Sequence, residues 1–110
     1  MANTFKNAAL ANVSNSSYQT LYTAPANTQT VILGLAIANK SSQAVTVQVQ
    51  FRDGSASADF QLLDNVNIPA NTTLETLAGQ KYILEATDIL KVKAGTGSAI
   101  DVVLGFMEKA

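Results

Sequence analysis

From Val45 to Arg52 the chain reads Val-Thr-Val-Gln-Val-Gln-Phe-Arg, a stretch in which apolar and polar side chains alternate without a break. In an extended strand successive side chains point to opposite faces, so Val45, Val47, Val49 and Phe51 share one side. Thr46, Gln48, Gln50 and Arg52 share the other. A helix would scatter the same residues around its axis, so this stretch requires a half-buried strand with an apolar layer opposite it.

The pattern recurs. Leu90-Lys91-Val92-Lys93-Ala94 repeats it with the lysines outward, and Ile100 to Phe106 repeats it with a less polar second face that carries Val103, and Met107 beyond it. Val31 to Asn39, "VILGLAIAN", is apolar on both faces; Gly34 and the β-branched Val31, Ile32 and Ile37 favour a strand there. A strand apolar on both sides has one face for the opposite sheet and one for other protein, so this segment is expected at an interface. Weaker strands are read at Ser17–Thr23, Asp59–Leu63, Thr72–Leu77 and Lys81–Leu84. The turn signals "NKSSQ", "RDGSASA", "LDN", "LAGQ", "EATD" and "AGTGSA" separate the strands. Short connections and the absence of an amphipathic helix make neighbouring strands antiparallel. The expectation is an all-β, jelly-roll-like antiparallel sandwich of about eight strands over residues 16–110, preceded by an extended arm over residues 1–15.

The tetrapeptide Pro-Ala-Asn-Thr occurs twice, at Pro25–Thr28 and Pro69–Thr72. Proline fixes its own φ and pushes the preceding residue into extended backbone, Asn tolerates turn dihedrals, and Thr favours the strand that follows. Each copy therefore reads as a corner that launches a strand. A duplicated half-domain is the competing reading. The offset of 44 residues between the copies sets Val45, Val47 and Val49 opposite Ile89, Lys91 and Lys93, which inverts the faces unless a one-residue gap intervenes.

Charged residues are 14% of the 110 positions and hydrophobic ones 47%, against about 25% charged in an ordinary soluble domain. A net charge of -1 gives no attraction to nucleic acid or to an anionic membrane, and neither partner is expected. A surface so poor in charge is expected to meet other protein. The apolar run at Val31–Ala38 is too short to span a bilayer. The N-terminal stretch lacks a basic region followed by an apolar run, so no signal peptide is read and the protein is expected to stay soluble where it is made.

With no Cys and no His, thiolate chemistry, the usual neutral-pH base and the commonest metal ligand are absent. Asp53, Asp59, Asp64, Glu75, Glu85, Asp88, Asp101 and Glu108 read as turn-forming or solvated carboxylates. Asp53–Asp64 lacks the alternating oxygen ligands and the closing Glu of an EF-hand loop. No serine sits in a nucleophile elbow, and "AGTGSA" lacks phosphate-cradling spacing. The N-x-[ST] triplets at Asn12, Asn15, Asn39 and Asn71 carry no weight in so Asn-, Ser- and Thr-rich a chain. Phe51, Phe60 and Phe106 read as core. No catalytic residue, cofactor or metal is assigned, and a non-enzymatic role is expected.

Taken together, "TLYTAPANTQTVILGLAIANKSSQAVTVQV", "IPANTTLE" and "ILEATDILKVKAGTGSAIDVVLGFMEK" resemble small structural proteins of tailed bacteriophage virions. Tyr22, Pro25, Asn39, Asp88 and Glu108 occupy the positions most alike, and Thr87 stands where Gly is usual before the Asp. The resemblance implies a virion component assembled in the host bacterial cytoplasm: a capsid decoration or cement protein, or a tail, neck or fibre module that binds a receptor or glycan. It implies a homo-oligomer, with a trimer expected, and contact with other virion proteins such as the major capsid protein. The residues expected at those contacts are Phe5, Leu10 and Val13 in the arm, with Ile32, Leu33, Leu35 and Ile37 divided between core and interface.

Overall fold

Strand-forming periodicity dominates the chain, and the computed structural model, which describes residues 3–75 and 82–109, is built from strands throughout. In chain order they are β1 (Asn3–Leu10), β2 (Gln19–Thr23), β3 (Gln29–Asn39), β4 (Val45–Asp53), β5 (Ala58–Ile68), β6 (Thr72–Glu75), β7 (Tyr82–Leu84), β8 (Ile89–Ala94) and β9 (Ile100–Lys109). One sheet has the order β1-β9-β3-β6, with β7 also paired to β3; the other has the order β2-β8-β4-β5. Every pairing is antiparallel. The partners nest: β4 with β5, β3 with β6 and β7, β2 with β8, β1 with β9. A single long antiparallel ribbon wrapped into two layers gives this nesting, which is jelly-roll topology. We call the layers the β9 sheet and the β8 sheet.

The inward faces follow from the alternation. Val45, Val47 and Val49 on β4 and Leu90, Val92 and Ala94 on β8 are buried against Ile32, Leu35 and Ile37 on β3 and Ile100, Val102, Leu104 and Phe106 on β9. At about 25 cal/mol per Å2 of apolar surface, this layer is the main source of cohesion in a chain with so few charges. Among the described residues no buried side-chain nitrogen or oxygen lacks a partner.

Both Pro-Ala-Asn-Thr copies carry the chain from the β8 sheet to the β9 sheet, one between β2 and β3 and the other between β5 and β6. Asn27 and Asn71 adopt φ of 58° and 54°, and in each copy the Thr hydroxyl (Thr28 or Thr72) donates to the Ala carbonyl two residues earlier. The residues just before the prolines, Ala24 and Ile68, are buried. A loop from elsewhere holds each corner. Ala24 exchanges backbone hydrogen bonds with Thr87 and Asp88. The buried Asn39 amide donates to the carbonyls of Gln43, Ile68 and Pro69, while its oxygen accepts from the Ser41 N–H and hydroxyl.

The expected arm forms a strand, and one turn and one core assignment differ from the sequence reading. Residues 3–10 pair with β9 along their whole length as an edge strand. The "LDN" signal at Leu63–Asn65 does not end a strand: β5 runs through it by a bulge opposite β4, with Asn65 at φ 53°. Phe60, read as core, is 53% exposed because β5 is an edge strand, and its ring lies 6.3 Å from the half-buried Phe51 ring. The "LAGQ" turn and the ends of the strands expected to reach Leu77 and begin at Lys81 lie outside the described residues.

Candidate interaction face

Register determines what each sheet shows on its outer side. On the β8 sheet those residues are mostly polar and satisfy one another, with half-buried Ile89 beside Arg52 the apolar exception. Asp59 bridges Arg52 and Lys91, each at 3.2 Å, and Gln48 donates to Asp64 at 3.0 Å. The Gln61 amide reaches the Tyr18 hydroxyl, and the Lys93 ammonium lies 5.9 Å from the Tyr18 ring centre. This side has the make-up of a water-facing surface.

The outer side of the β9 sheet is different. Cross-strand partners share a face, so the rows can be read directly. At one end Asn3, Lys109 and Gln29 align; next come Phe5, Met107, Val31 and Ile83; then Asn7, Gly105 and Gly34. Beyond the glycines lie Ala9, Val103, Ala36 and Glu75, and finally Asp101, Ala38 and Thr73. Phe5 is 73% exposed, Ile83 61%, Val103 51%, and Leu33, which a bulge inserts beside Gly34, 44%. On the two central strands charge appears only at the ends of this face, as Lys109 and as Asp101. The latter accepts from the Asn12 N–H and the Lys40 ammonium, both at 3.0 Å, which together hold its carboxyl below the usual range.

Of the residues expected at contacts, Phe5 and Leu33 lie on this exposed face. Ile32, Leu35, Ile37 and Val13 lie in the core, and Leu10 packs partly buried against it. Val103, Met107, Ile83 and the two glycines complete the face. The less polar second side of Ile100–Phe106 was the signal that could have found them.

Three further carboxylates, Asp53, Asp88 and Glu108, are engaged within the fold. The Asp53 carboxyl accepts from the Ser55 hydroxyl and from the Ser55 and Ala56 N–H groups, and these bonds, the hydroxyl foremost, hold it below its ordinary value. Buried Asp88 accepts from the N–H groups of Gly54 and Glu85, tying the β4–β5 turn to the turn before β8. A Cβ on Gly54 would press on the Thr87 hydroxyl and lie 2.7 Å from the Thr87 carbonyl oxygen, so this close approach requires glycine. Glu108 accepts from the Tyr22 hydroxyl at 2.6 Å and from Lys6 at 2.9 Å. Among the described residues no group of three or more His, Cys, Asp or Glu converges on a point that could hold a metal ion. An apolar cleft between the sheets is lined by Ile32, Leu35, Phe51, Leu62, Ile83, Leu84 and Leu90, none of which has a polar side-chain atom to orient a ligand.

No protein-family model and no curated protein sequence matches the chain. Solved structures do match in fold. A chain of the infectious bursal disease virus Gx strain superposes with a TM-score of 0.58 at 12% identity, over 96% of this protein and 32% of the virus chain. A pilus protein of Bacillus endospore appendages, a family of disulfide-linked pili, matches with a TM-score of 0.53 at 8% identity, over 96% of this chain and 85% of that one. The Drosophila NLP core, whose structure addresses pentamer formation and histone binding, matches at 0.52 and 14% identity, over 94% and 97% of the two chains. These likenesses define the class of the protein as a two-sheet antiparallel sandwich.

Proposed function

We propose that this protein is a non-enzymatic structural component of a bacteriophage virion that works through protein-protein contacts as a capsid decoration or cement subunit. One observation carries this reading: one outer face is a largely polar, internally paired surface, while the other leaves large apolar side chains in water. Monomeric soluble proteins rarely expose a contiguous apolar patch of more than a few hundred Å2 unless it serves an interaction. The motif resemblance to tailed-phage virion proteins and the fold likeness to a viral chain support the same reading. So does the low charge, which suits a subunit held among other proteins. Homo-oligomerisation belongs to the proposal, and so do the virion location and contact with the major capsid protein.

The test is to add purified protein to phage particles that lack it, image where it binds, and measure the temperature at which the particles release their genome. Binding to the head with a higher release temperature supports decoration. Binding confined to the neck or tail, or no change in release temperature, refutes it. A receptor- or glycan-binding module is the competing role, and it would give a signal on a glycan array instead.

A further inference from the structure

Gly34 and Gly105 are cross-strand partners at the centre of the apolar face; Gly34 adjoins the Leu33 bulge, where glycine is common, whereas Gly105 lies in regular strand with no such reason. A Cβ at either position would meet no atom within 4 Å, and neither residue takes the left-handed φ that favours glycine. Glycine in a strand interior weakens the strand and marks places where another backbone comes close. A shallow notch therefore crosses the two central strands of the face, with exposed Leu33 beside it.

The rows on either side of the notch differ in size. Phe5, Met107 and Val31 flank it on one side, and Ala9, Val103 and Ala36 on the other. A two-fold axis lying in the face along the glycine row, perpendicular to the strands, exchanges these rows. Phe5 then meets Ala9, Met107 meets Val103, Val31 meets Ala36, and Leu33 enters the opposite notch, while at the sheet edge Ile83 lies toward Glu75, whose carboxylate stays at the rim. The same operation brings Lys109 at one end of the face over Asp101 at the other end of the second copy. A two-fold axis along the strands, between β9 and β3, would instead set Met107 against Val31, large against large, and Lys109 against Gln29, leaving both Lys109 and Asp101 without an opposite charge. We propose that this face binds a second copy of the chain, sheet against sheet, about a two-fold axis through the Gly34–Gly105 row. The proposal rests on the reading that the protein acts by protein contact, and it specifies that contact.

The size is adequate. Five rows at two residues per row span roughly 27 Å, and four strands roughly 19 Å, so the pair buries on the order of 1,000 Å2, the lower bound for a specific interface. The steric fit and the charge pairing both make the face self-complementary, as a two-fold contact requires.

Sedimentation of the full chain over a concentration series tests this, with Gly105→Val and Val103→Lys variants and with circular dichroism as a check on folding. Gly105→Val adds side chain into open space, so the monomer keeps its fold and melting temperature while dimer affinity falls at least about tenfold, the scale of an interface-centre residue. Lys109→Asp, which sets like charges together, also weakens the dimer, and more so at low salt. A monomer at every concentration, a trimer, or a dimer indifferent to Gly105→Val and Val103→Lys would overturn the proposal. If the dimer forms but phage particles do not bind it, the two-fold contact stands and the virion reading falls. If particles bind a strictly monomeric protein, the reverse holds.

Discussion

Thr87 sits at φ 72°, a left-handed conformation that costs an L-residue on the order of 1–2 kcal/mol and is rarest for β-branched side chains. The turn before β8 thus keeps the shape a glycine would give it, although the residue is threonine. Glycine there would relieve the strain but add freedom to the unfolded chain. Thr87→Gly is expected to stabilise the fold by about 0.5–1 kcal/mol, read as a higher urea midpoint with an unchanged slope. Glu108 offers a test in pH. The Tyr22 hydroxyl and then the Lys6 ammonium hold its carboxyl below the ordinary value of 4.5, so its contribution is fully present above that value and is lost as pH falls through the lowered one. Burial first, then the hydrogen bond to Glu108, pushes the Tyr22 phenol up to about 12 from its ordinary 10.0. The folded state therefore holds that proton more tightly, and stability falls as pH rises from about 10 toward 12. Tyr22→Phe is expected to remove the Tyr22 share of the alkaline limb and to shift the acid limb toward the ordinary carboxylate range, measured by denaturant unfolding across pH.

At the scale of elements, strands with a clear inside and outside could be read from the sequence, and those without could not. β4, β8 and β9 announce themselves by alternation because one face meets a full apolar layer. β1 does not: its inward residues are Thr4, Lys6, Ala8 and Leu10, and only Ala8 and Leu10 touch the core. Its binding comes from the ladder to β9 and from the Lys6–Glu108 ion pair, neither of which leaves a hydrophobic signature. β5 ran past the expected end because a bulge with a left-handed Asn looks like a turn in sequence. The Pro-Ala-Asn-Thr corners were legible because their chemistry is local, although their equivalent places in the two-layer wrap were not. An edge strand with one neighbour should open before the rest, so β1 amides are expected to exchange with deuterium much faster than those of β3 and β9. Val13 is different: it is fully buried, and its N–H donates to the Ile100 carbonyl at 2.9 Å. Val13→Ala is expected to cost about 2 kcal/mol in a global unfolding experiment. A truncation ending before Val13 should still unfold cooperatively, whereas one that removes Val13 opens the core.

Taken as a whole, the molecule separates its two outer faces by chemistry, and the separation follows from where its few charges were placed. Lys91, Lys93, Arg52, Asp59 and Asp64 fall on the outer side of the β8 sheet, whereas β3 and the middle of β9 have none. That this protein would leave apolar side chains exposed was legible in the composition and in the two-sided apolar run at Val31–Asn39. Which side chains these would be was not, since Ile32, Leu35 and Ile37 differ from Leu33 only by the phase of a bulge. An apolar face with charge only at its rim makes a thermodynamic prediction distinct from that of an ionic contact. Screening acts on the Lys109–Asp101 ends and leaves the centre untouched, while burial of apolar surface strengthens as water is warmed from the cold. Self-association is therefore expected to survive a rise from 0.1 to 1 M NaCl with less than about a tenfold loss of affinity, and to be tighter at 25 °C than at 4 °C. Calorimetry of dimer dilution should give a negative heat-capacity change for association, the marker of apolar burial. A contact that dissolves in moderate salt or tightens on cooling would mean that charged loops, and not this face, hold the copies together.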